Sequence, residues 1–137
     1  MDVKDLLRLH EGFRPRVYPD SLGVLTIGYG RNLEGQGISI DEAEFLLDND
    51  INNCMAKLPR FIPGWDDLSD VRKAVLVSMA FMGINRLAEF VKMIEAIGHL
   101  DWDLAAHEMM DSKWARQVGY RARQLATMMR TDQWPIY

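Results

Sequence analysis

Residues 11–30 read EGFRPRVYPDSLGVLTIGYG, and this stretch decides the fold of the first third of the chain. Its glycines and prolines follow one another too closely for a helix, so they mark turns. Between them, the segments RVY and VLTIGYG are rich in β-branched and aromatic residues, and we predict a small antiparallel sheet that turns at PDSLG. The stretch also carries three polar residues, Glu11, Asp20 and Thr26, which are separated by eight and then five residues.

Helices are predicted on both sides of this sheet. Residues 2–11 carry apolar side chains at the spacing of one helix face. Ser39 is followed three residues later by Glu42, the signature of a capping box, and the apolar residues beyond repeat at steps of three and four. Residues 41–58 are therefore predicted to form one long helix. Further helices are predicted in DVRKAVLVSMAFMG, INRLAEFVKMIEAI and DWDLAAHEMM, and from about Ser112 to Arg130.

Together these elements predict an α+β fold in a single domain, residues 1–137. A sheet lobe covers about residues 12–40, and residues 41–58 form the helix that links it to a mostly helical C-terminal lobe. That helical lobe comprises residues 59–137 together with residues 1–11. Because ligand sites favour the clefts between lobes, we expect the functional residues to line the cleft between these two.

Composition restricts the class of protein further. A hydrophobic content of 48% with 26% charged residues is typical of a globular chain and excludes a disordered one. No apolar run reaches the roughly 18 residues of a membrane span, and MDVKDLLRLH lacks the apolar core of a signal peptide. The single cysteine, Cys54, lies in an apolar helical stripe and is predicted to be a small core residue. We therefore expect a protein that folds in a cytoplasm and does not insert into membranes.

The net charge of −4 argues against nucleic acid as the main partner, because phosphate binding requires a concentrated positive field. One segment, from Lys113 to Arg130, departs from this balance with five basic residues and no acidic residue. Two readings stay open for this segment. It is either the solvated face of the last helix or a basic wall that faces an anionic group.

The three polar residues of the first stretch form a candidate catalytic set. Glycoside hydrolysis needs one acid that stays protonated near neutral pH and one carboxylate that activates water. Glu11 at a helix end suits the acid, Asp20 in a polar turn suits the carboxylate, and the hydroxyl group of Thr26 can hold the water. Taken singly, each residue has an ordinary explanation as a solvated charge, a turn former or a strand residue. The three histidines have no second ligand at metal spacing, so no metal site is predicted.

The stretch LLRLHEGFRPRVYPDSLGVLTIGYGRN closely resembles the N-terminal block of the phage-type lysozymes, glycoside hydrolase family 24. The signature of that family sets Glu, Asp and Thr, at the same two spacings, in EG…Y.D..G..TIG.G. Each position of the signature is filled here, by Glu11, Gly12, Tyr18, Asp20, Gly23, Thr26, Ile27, Gly28 and Gly30. The likeness continues through GRNLEGQGIS, DEAE, VLVSMAF, DSKWARQVGYRARQLA and MRTDQW, so it covers almost the whole chain.

The resemblance implies a lysozyme-like fold and a glycoside hydrolase with no metal or cofactor. The implied enzyme is a muramidase that cleaves the β-1,4 bond between N-acetylmuramic acid and N-acetylglucosamine in the glycan strands of peptidoglycan. The roles that it implies are Glu11 as general acid, Asp20 as the carboxylate that places the attacking water, and Thr26 as an assistant to that water. It also implies inversion at the anomeric carbon, which requires room for water between the two carboxyl groups.

The resemblance also indicates substrate-binding residues in the C-terminal half. An arginine of the family approaches the catalytic glutamate from a C-terminal helix, and Arg121 matches it. Phe81 matches a family aromatic, although the amide residue that usually follows is missing from the shortened segment AFMG. Gln117 either reaches the cleft or is a solvated helix position. Trp114 is predicted to be a core residue rather than a platform for sugar.

Three functions follow as hypotheses. The leading one is a monomeric, bacteriolytic and antimicrobial endolysin of a phage or prophage, which waits in the host cytoplasm and acts on the periplasmic cell wall after release. A lytic transglycosylase adds no water, and it is disfavoured because it has no need for Asp20 and Thr26. The third is a catalytically weak or idle lysozyme fold that binds peptidoglycan or a protein, motivated by the AFMG segment and the acidic net charge.

Overall fold

A computed structural model describes residues 1–136, and Tyr137, the last residue of the predicted domain, lies outside the described residues. The chain divides into two units, residues 1–47 and the residues from Asp48 onward, and the boundary falls inside a long helix. Residues 1–11 belong to the first unit in this division, and their grouping with the C-terminal helices stays a prediction. The predicted α+β class is confirmed, because a small antiparallel sheet is combined with many helices.

The first unit begins with helix α1, Val3–Glu11, where the sequence predicts a helix. A capping box starts it, since the Asp2 side chain accepts the N–H of Asp5 and the Asp5 side chain accepts the N–H of Asp2. The helix ends at Gly12, whose φ of 67° turns the chain out of the helical path. Glu11 is thereby fixed as the last residue of α1.

The predicted sheet is confirmed and contains three antiparallel strands. Its strands are adjacent in chain order: β1 (Arg14–Pro19), β2 (Leu25–Gly28) and β3 (Arg31–Asn32). Thr26 lies opposite Tyr18 in one pair and opposite Asn32 in the other, so β2 is the central strand. The connection between β1 and β2 is the turn that PDSLG predicts.

Helix α2, Ile40–Lys57, begins with the predicted capping box and is bound to β3 through a side chain of its first turn. The N–H of Ser39 donates to Glu42 Oε1 at 2.9 Å, and the N–H of Glu42 donates to Ser39 Oγ at 3.1 Å. Arg31 binds the same carboxylate, with Nη1 donating to Oε1 at 2.9 Å and Nη2 donating to Oε2. The Arg31 guanidinium, helped by the backbone N–H of Ser39, lowers the pKa of Glu42 to about 2.

The regular secondary structure of the second unit, within its described residues, is entirely helical. After α2 it contains short 3₁₀ turns at Leu58–Arg60 and Trp65–Asp67, followed by α3 (Asp70–Ala80), α4 (Ile84–Ala88), α5 (Val91–Gly98), α6 (Trp102–Met110), α7 (Lys113–Val118) and α8 (Tyr120–Thr131). Among the helices of residues 1–136, none combines the length and the apolar character needed to cross a lipid bilayer.

The core of the second unit takes buried side chains from each of the helices α3 to α8, with the most from α3 and α8. The largest fully buried side chains are Leu58, Ile62, Val75, Leu76, Met79, Leu87, Met93, Ile97, Met109 and Met129. Cys54 packs half-buried against this core, and burial raises the pKa of its thiol. Both features agree with the prediction that Cys54 is a core residue.

The prediction of one continuous helix from about Ser112 to Arg130 is wrong, because the segment forms two helices. Gly119 adopts φ 59° and ψ −115°, and it ends α7 and begins α8. INRLAEFVKMIEAI is likewise divided between α4 and α5 at Phe90, whose ring packs edge-on against Trp114 with centroids 6.0 Å apart. Apolar spacing continues across both breaks, which is why the spacing alone does not reveal them.

The Arg31–Glu42 pair makes the stability of the protein depend on pH. The folded-state pKa of Glu42, about 2, lies below its ordinary value of 4.5, so ionised Glu42 stabilises the fold above about pH 4.5. We expect the difference in unfolding free energy between the wild type and Glu42→Gln to be largest near neutral pH. It should shrink as the pH falls from about 4.5 to about 2, as measured by urea denaturation at a series of pH values.

Glu44→Gln is the matched control for this experiment. Glu44 lies two residues further along α2 and is exposed, and it has no hydrogen-bond or ion-pair partner within residues 1–136. The two variants lose the same charge from the same helix. If they showed the same pH dependence, the Arg31–Glu42 pair would not be the source of the effect.

Candidate active site

Glu11 places its carboxyl group directly against the backbone at Gly30. A Cβ atom at Gly30 would lie 2.8 Å from both Cδ and Oε2 of Glu11, closer than two such atoms approach in proteins. This approach requires a glycine, which also tolerates the φ of 78° found there. The carboxyl group of α1 therefore meets the turn between β2 and β3. Glu11 is exposed to solvent, so within the structure it lacks the removal from water that a general acid requires.

Asp20 is held by the turn between β1 and β2. Its Oδ1 atom accepts the N–H of Leu22 at 2.8 Å and the N–H of Val24 at 2.9 Å. The N–H of Asp20 donates to the carbonyl oxygen of Val24 at 2.9 Å, which closes the turn. Oδ2 has no hydrogen-bond partner within residues 1–136. The carboxylate thus has a fixed orientation and one oxygen free for a ligand.

Thr26 lies beside this turn in the central strand and is 4% exposed. Its hydroxyl group donates to the carbonyl oxygen of Val24 at 2.8 Å, and its oxygen remains able to accept a hydrogen bond. Asp20 and Thr26 are therefore both bound to the backbone of Val24, one through its N–H and the other through its carbonyl group. Sequence reasoning missed Val24, because a residue that acts through its backbone has no characteristic side chain.

Aromatic contacts brace the strand that carries these groups. The guanidinium group of Arg14 lies 4.1 Å from the ring centroid of Tyr18, which pairs with Thr26. The rings of Phe13 and Tyr29 are 5.6 Å apart. Both contacts lie within the first unit, at β1 and at the end of β2.

Arg121 lies on α8 in the second unit. Its Nη2 atom donates to the carbonyl oxygen of Ser78 at 2.9 Å and to the hydroxyl oxygen of Ser78 at 3.0 Å. The guanidinium group therefore binds the last turn of α3, where carbonyl groups lack helical partners. Its approach to Glu11 stays a prediction.

Phe81 and Gln117 also lie in the second unit. Phe81 follows α3 and is half-exposed, and it lines a groove of about 260 Å³ with Asn53, Cys54 and Lys57 of α2. Asn53 places a side-chain amide in this groove, whereas the AFMG segment has none. Sequence reasoning did not identify Asn53. Gln117 is exposed on α7. The predictions that Phe81 and Gln117 bind substrate are not tested by these positions.

Trp114 is 6% exposed, which confirms its prediction as a core residue. Within residues 1–136, no group of three or more His, Cys, Asp or Glu side chains could hold a metal ion.

Comparison with known proteins identifies the relatives of this chain. The family described as phage lysozyme matches residues 8–131. The protein named "Probable T4-type lysozyme 1" of Dictyostelium discoideum is 26% identical over 165 positions, which cover 98% of this chain and 97% of the relative. "Probable T4-type lysozyme 2" of the same organism is 26% identical, with 94% of each chain covered. "Pre-baseplate central spike protein Gp5" of Enterobacteria phage T4 is 27% identical over the whole of this chain, which spans 29% of the spike protein.

The contact between Glu11 and Gly30 leads to a prediction with a matched control. Gly30→Ala and Gly28→Ala both place a side chain at positive φ, 78° and 69° respectively, and each should cost about 1–2 kcal/mol of stability. Only Gly30→Ala collides with Glu11, because a Cβ atom at Gly28 meets nothing within 4 Å. Crystal structures of the two variants should show the Glu11 carboxyl group displaced in Gly30→Ala and unmoved in Gly28→Ala. An unmoved carboxyl group in both would contradict the contact.

Proposed function

Because the chain belongs to the phage lysozyme family, we propose that it is an endolysin-type muramidase that hydrolyses the β-1,4 bond between N-acetylmuramic acid and N-acetylglucosamine. Membership of this family supports a muramidase-like activity with peptidoglycan as substrate. The identity of the catalytic residues, the addition of water and the endolysin role are the parts that we propose.

In this proposal Glu11 protonates the oxygen of the leaving sugar. A general acid must be protonated when the substrate binds, and removal from water favours the protonated form. Glu11 is exposed, so a glycan strand lying over its carboxyl group supplies that desolvation on binding. Contact with the backbone of Gly30 leaves the carboxyl group little freedom to turn away from the strand.

Asp20 and Thr26 place the water that attacks the anomeric carbon. The observation that carries the proposal is the turn that orients Asp20, in which Oδ1 is occupied by two N–H groups and Oδ2 is left to accept a proton from water. The Thr26 hydroxyl group donates a hydrogen bond to the carbonyl oxygen of Val24, and its oxygen can accept a hydrogen bond from the same water. Attack by water from this side would invert the configuration of the sugar.

The first test is mass spectrometry of the soluble fragments released from purified peptidoglycan. We expect fragments that end in reducing muramic acid, released about 10²-fold more slowly by both Glu11→Gln and Asp20→Asn, since each removes a general acid or base. Glu44→Gln, which removes a carboxylate from the same unit away from the turn, should retain full activity. Gly30→Ala should lose more activity than Gly28→Ala.

Other products would point to the other hypotheses. Anhydro-muramic ends would indicate a lytic transglycosylase and remove the role of Asp20. If Asp20→Asn released fragments at an undiminished rate, the proposal that Asp20 places the attacking water would be wrong. The absence of fragments, with folded protein and bound peptidoglycan, would favour an idle lysozyme fold.

We further propose that the protein acts as a monomer, is held in the host cytoplasm and reaches the periplasmic cell wall only on release. A reducing compartment suits a chain whose one cysteine, Cys54, is a free thiol packed against the core.

Bacteria that express the chain in the cytoplasm should therefore stay intact until the inner membrane is permeabilised, and then lyse, as followed by turbidity. Glu11→Gln should abolish this lysis. Lysis without permeabilisation would contradict the proposed location.

A further inference from the structure

A groove of about 300 Å³ lies between α8 and the C-terminal segment that follows it, residues 132–136. We name it the α8 groove. Its walls include Tyr120, Arg123, Gln124 and Thr127 of α8 together with Gln133 and Trp134 of the following segment. All of these residues belong to the second unit, which contains none of the three predicted catalytic residues. No lining residue of the α8 groove is among the predicted catalytic or substrate-binding residues.

The segment that forms one wall of the groove is anchored at Asp132. This residue adopts the left-handed conformation, with φ 59° and ψ 36°, and its N–H donates to the carbonyl oxygen of Met128 at 2.9 Å. Its carboxylate accepts the hydroxyl group of Ser69 and lies 3.7 Å from Arg72 Nη1. Arg72 also donates from Nε to the carbonyl oxygen of Met129 at 2.8 Å. The chain is thus turned and held so that Trp134 stands beside α8.

Two aromatic rings of the groove are open to solvent. Tyr120 is 67% exposed and Trp134 is 58% exposed, whereas Trp65 and Trp114 of the same unit are each 6% exposed. Exposed aromatic rings on a concave surface are typical of ligand sites, where one ring face packs against an apolar face of the ligand. The flat C–H faces of a pyranose ring provide such a surface.

The polar groups of the groove are almost all neutral. The side-chain amides of Gln124 and Gln133 have no hydrogen-bond partner within residues 1–136, and each offers both a donor and an acceptor. Arg123 is the one charged residue among the described residues that line the groove, and its guanidinium group lies 5.6 Å from the Tyr120 ring centroid. A polyanion would need several cations, so this lining favours a neutral ligand rich in hydroxyl and amide groups.

We propose that the α8 groove is a second saccharide-binding site that takes an N-acetylated glycan strand, stacked on Tyr120 and Trp134 and hydrogen-bonded to Gln124 and Gln133. The choice of an N-acetylated saccharide rests on the proposed function, whereas the aromatic and amide lining is independent of it. The volume of about 300 Å³ lies at the lower end of small-molecule sites, so the groove holds a short part of a strand. No carboxyl group lies among the described residues that line the groove, so we assign to it the holding of a strand.

Binding of chitotetraose, the β-1,4-linked tetramer of N-acetylglucosamine, tests this proposal. The full chain carrying Glu11→Gln is used so that the sugar is not cleaved, and nuclear magnetic resonance follows the Trp134 indole N–H and the side-chain amides of Gln124 and Gln133. We expect saturable shifts of these signals. Tyr120→Ala should weaken the binding that they report by about five- to tenfold, the range expected for loss of one aromatic contact.

Trp134→Ala provides the second variant, read out through the Gln133 amide, and Phe45→Ala provides the control. Phe45 is 68% exposed on α2, so it matches Tyr120 in exposure but lies outside the groove. Phe45→Ala should leave the affinity unchanged. Equal affinity in all three variants, or shifts that spare Trp134, Gln124 and Gln133, would overturn the proposal. Identical shifts with a sugar-free stem peptide would overturn the assignment to a saccharide.

The two proposals fail in different experiments. A wild-type chain that releases no fragments from peptidoglycan but binds chitotetraose at Trp134 would refute the muramidase and support the second site. A chain that releases fragments but shows no shift at Trp134 would refute the second site and support the muramidase.

Discussion

The hydrogen bonds of the β1–β2 turn are the constraint on which the predicted chemistry depends. Asp20 accepts the N–H groups of Leu22 and Val24 with one carboxylate oxygen, so the bonds that close the hairpin also orient the carboxylate. Thr26, two residues further along the same segment, donates its hydroxyl group to the carbonyl oxygen of Val24. An amide oxygen can accept the same two N–H groups, whereas only a carboxylate can take a proton from water. Asp20→Asn should therefore keep the hydrogen bonds that close the turn and lose the ability to take a proton from water.

Local hydrogen bonds of this kind matter in the first unit because it buries few side chains. Thr26 is the one buried residue among residues 1–47, whereas the second unit has an extended apolar core. The capping boxes of α1 and α2 and the Arg31–Glu42 pair hold the first unit through directional contacts. Apolar packing is non-directional, whereas a hydrogen bond fixes the orientation of both its partners. A scaffold of this type suits a site whose carboxyl groups need defined orientations, at the cost of sensitivity to acid.

Sequence reasoning predicted the features whose causes lie within a few residues. The PDSLG turn and the Ser39–Glu42 capping box follow from short patterns, and the structure confirms them. It missed Arg31 as the partner of Glu42 and Ser78 as the partner of Arg121, because such pairs depend on how distant segments fold together. It also missed the break at Gly119, since an isolated glycine inside a helical pattern does not by itself end a helix. For the candidate site, the sequence indicated Glu11, Asp20 and Thr26, whereas the orientation of their side chains is seen only in the structure.

The net charge of −4 bears on how such a chain can hold a cell-wall polymer. An acidic protein gains nothing from long-range attraction to an anionic surface, and charge effects beyond about 8 Å are screened at physiological ionic strength. Retention then has to come from contacts at short range. The α8 groove offers contacts of this kind, because ring stacking and amide hydrogen bonds act between neutral groups and are little affected by salt. Attachment of one strand at two sites raises the local concentration of the remaining strand around the protein, even when each contact alone is weak. The proposed second site would therefore give an acidic chain of this family a means of staying on a glycan strand that a basic surface would otherwise supply.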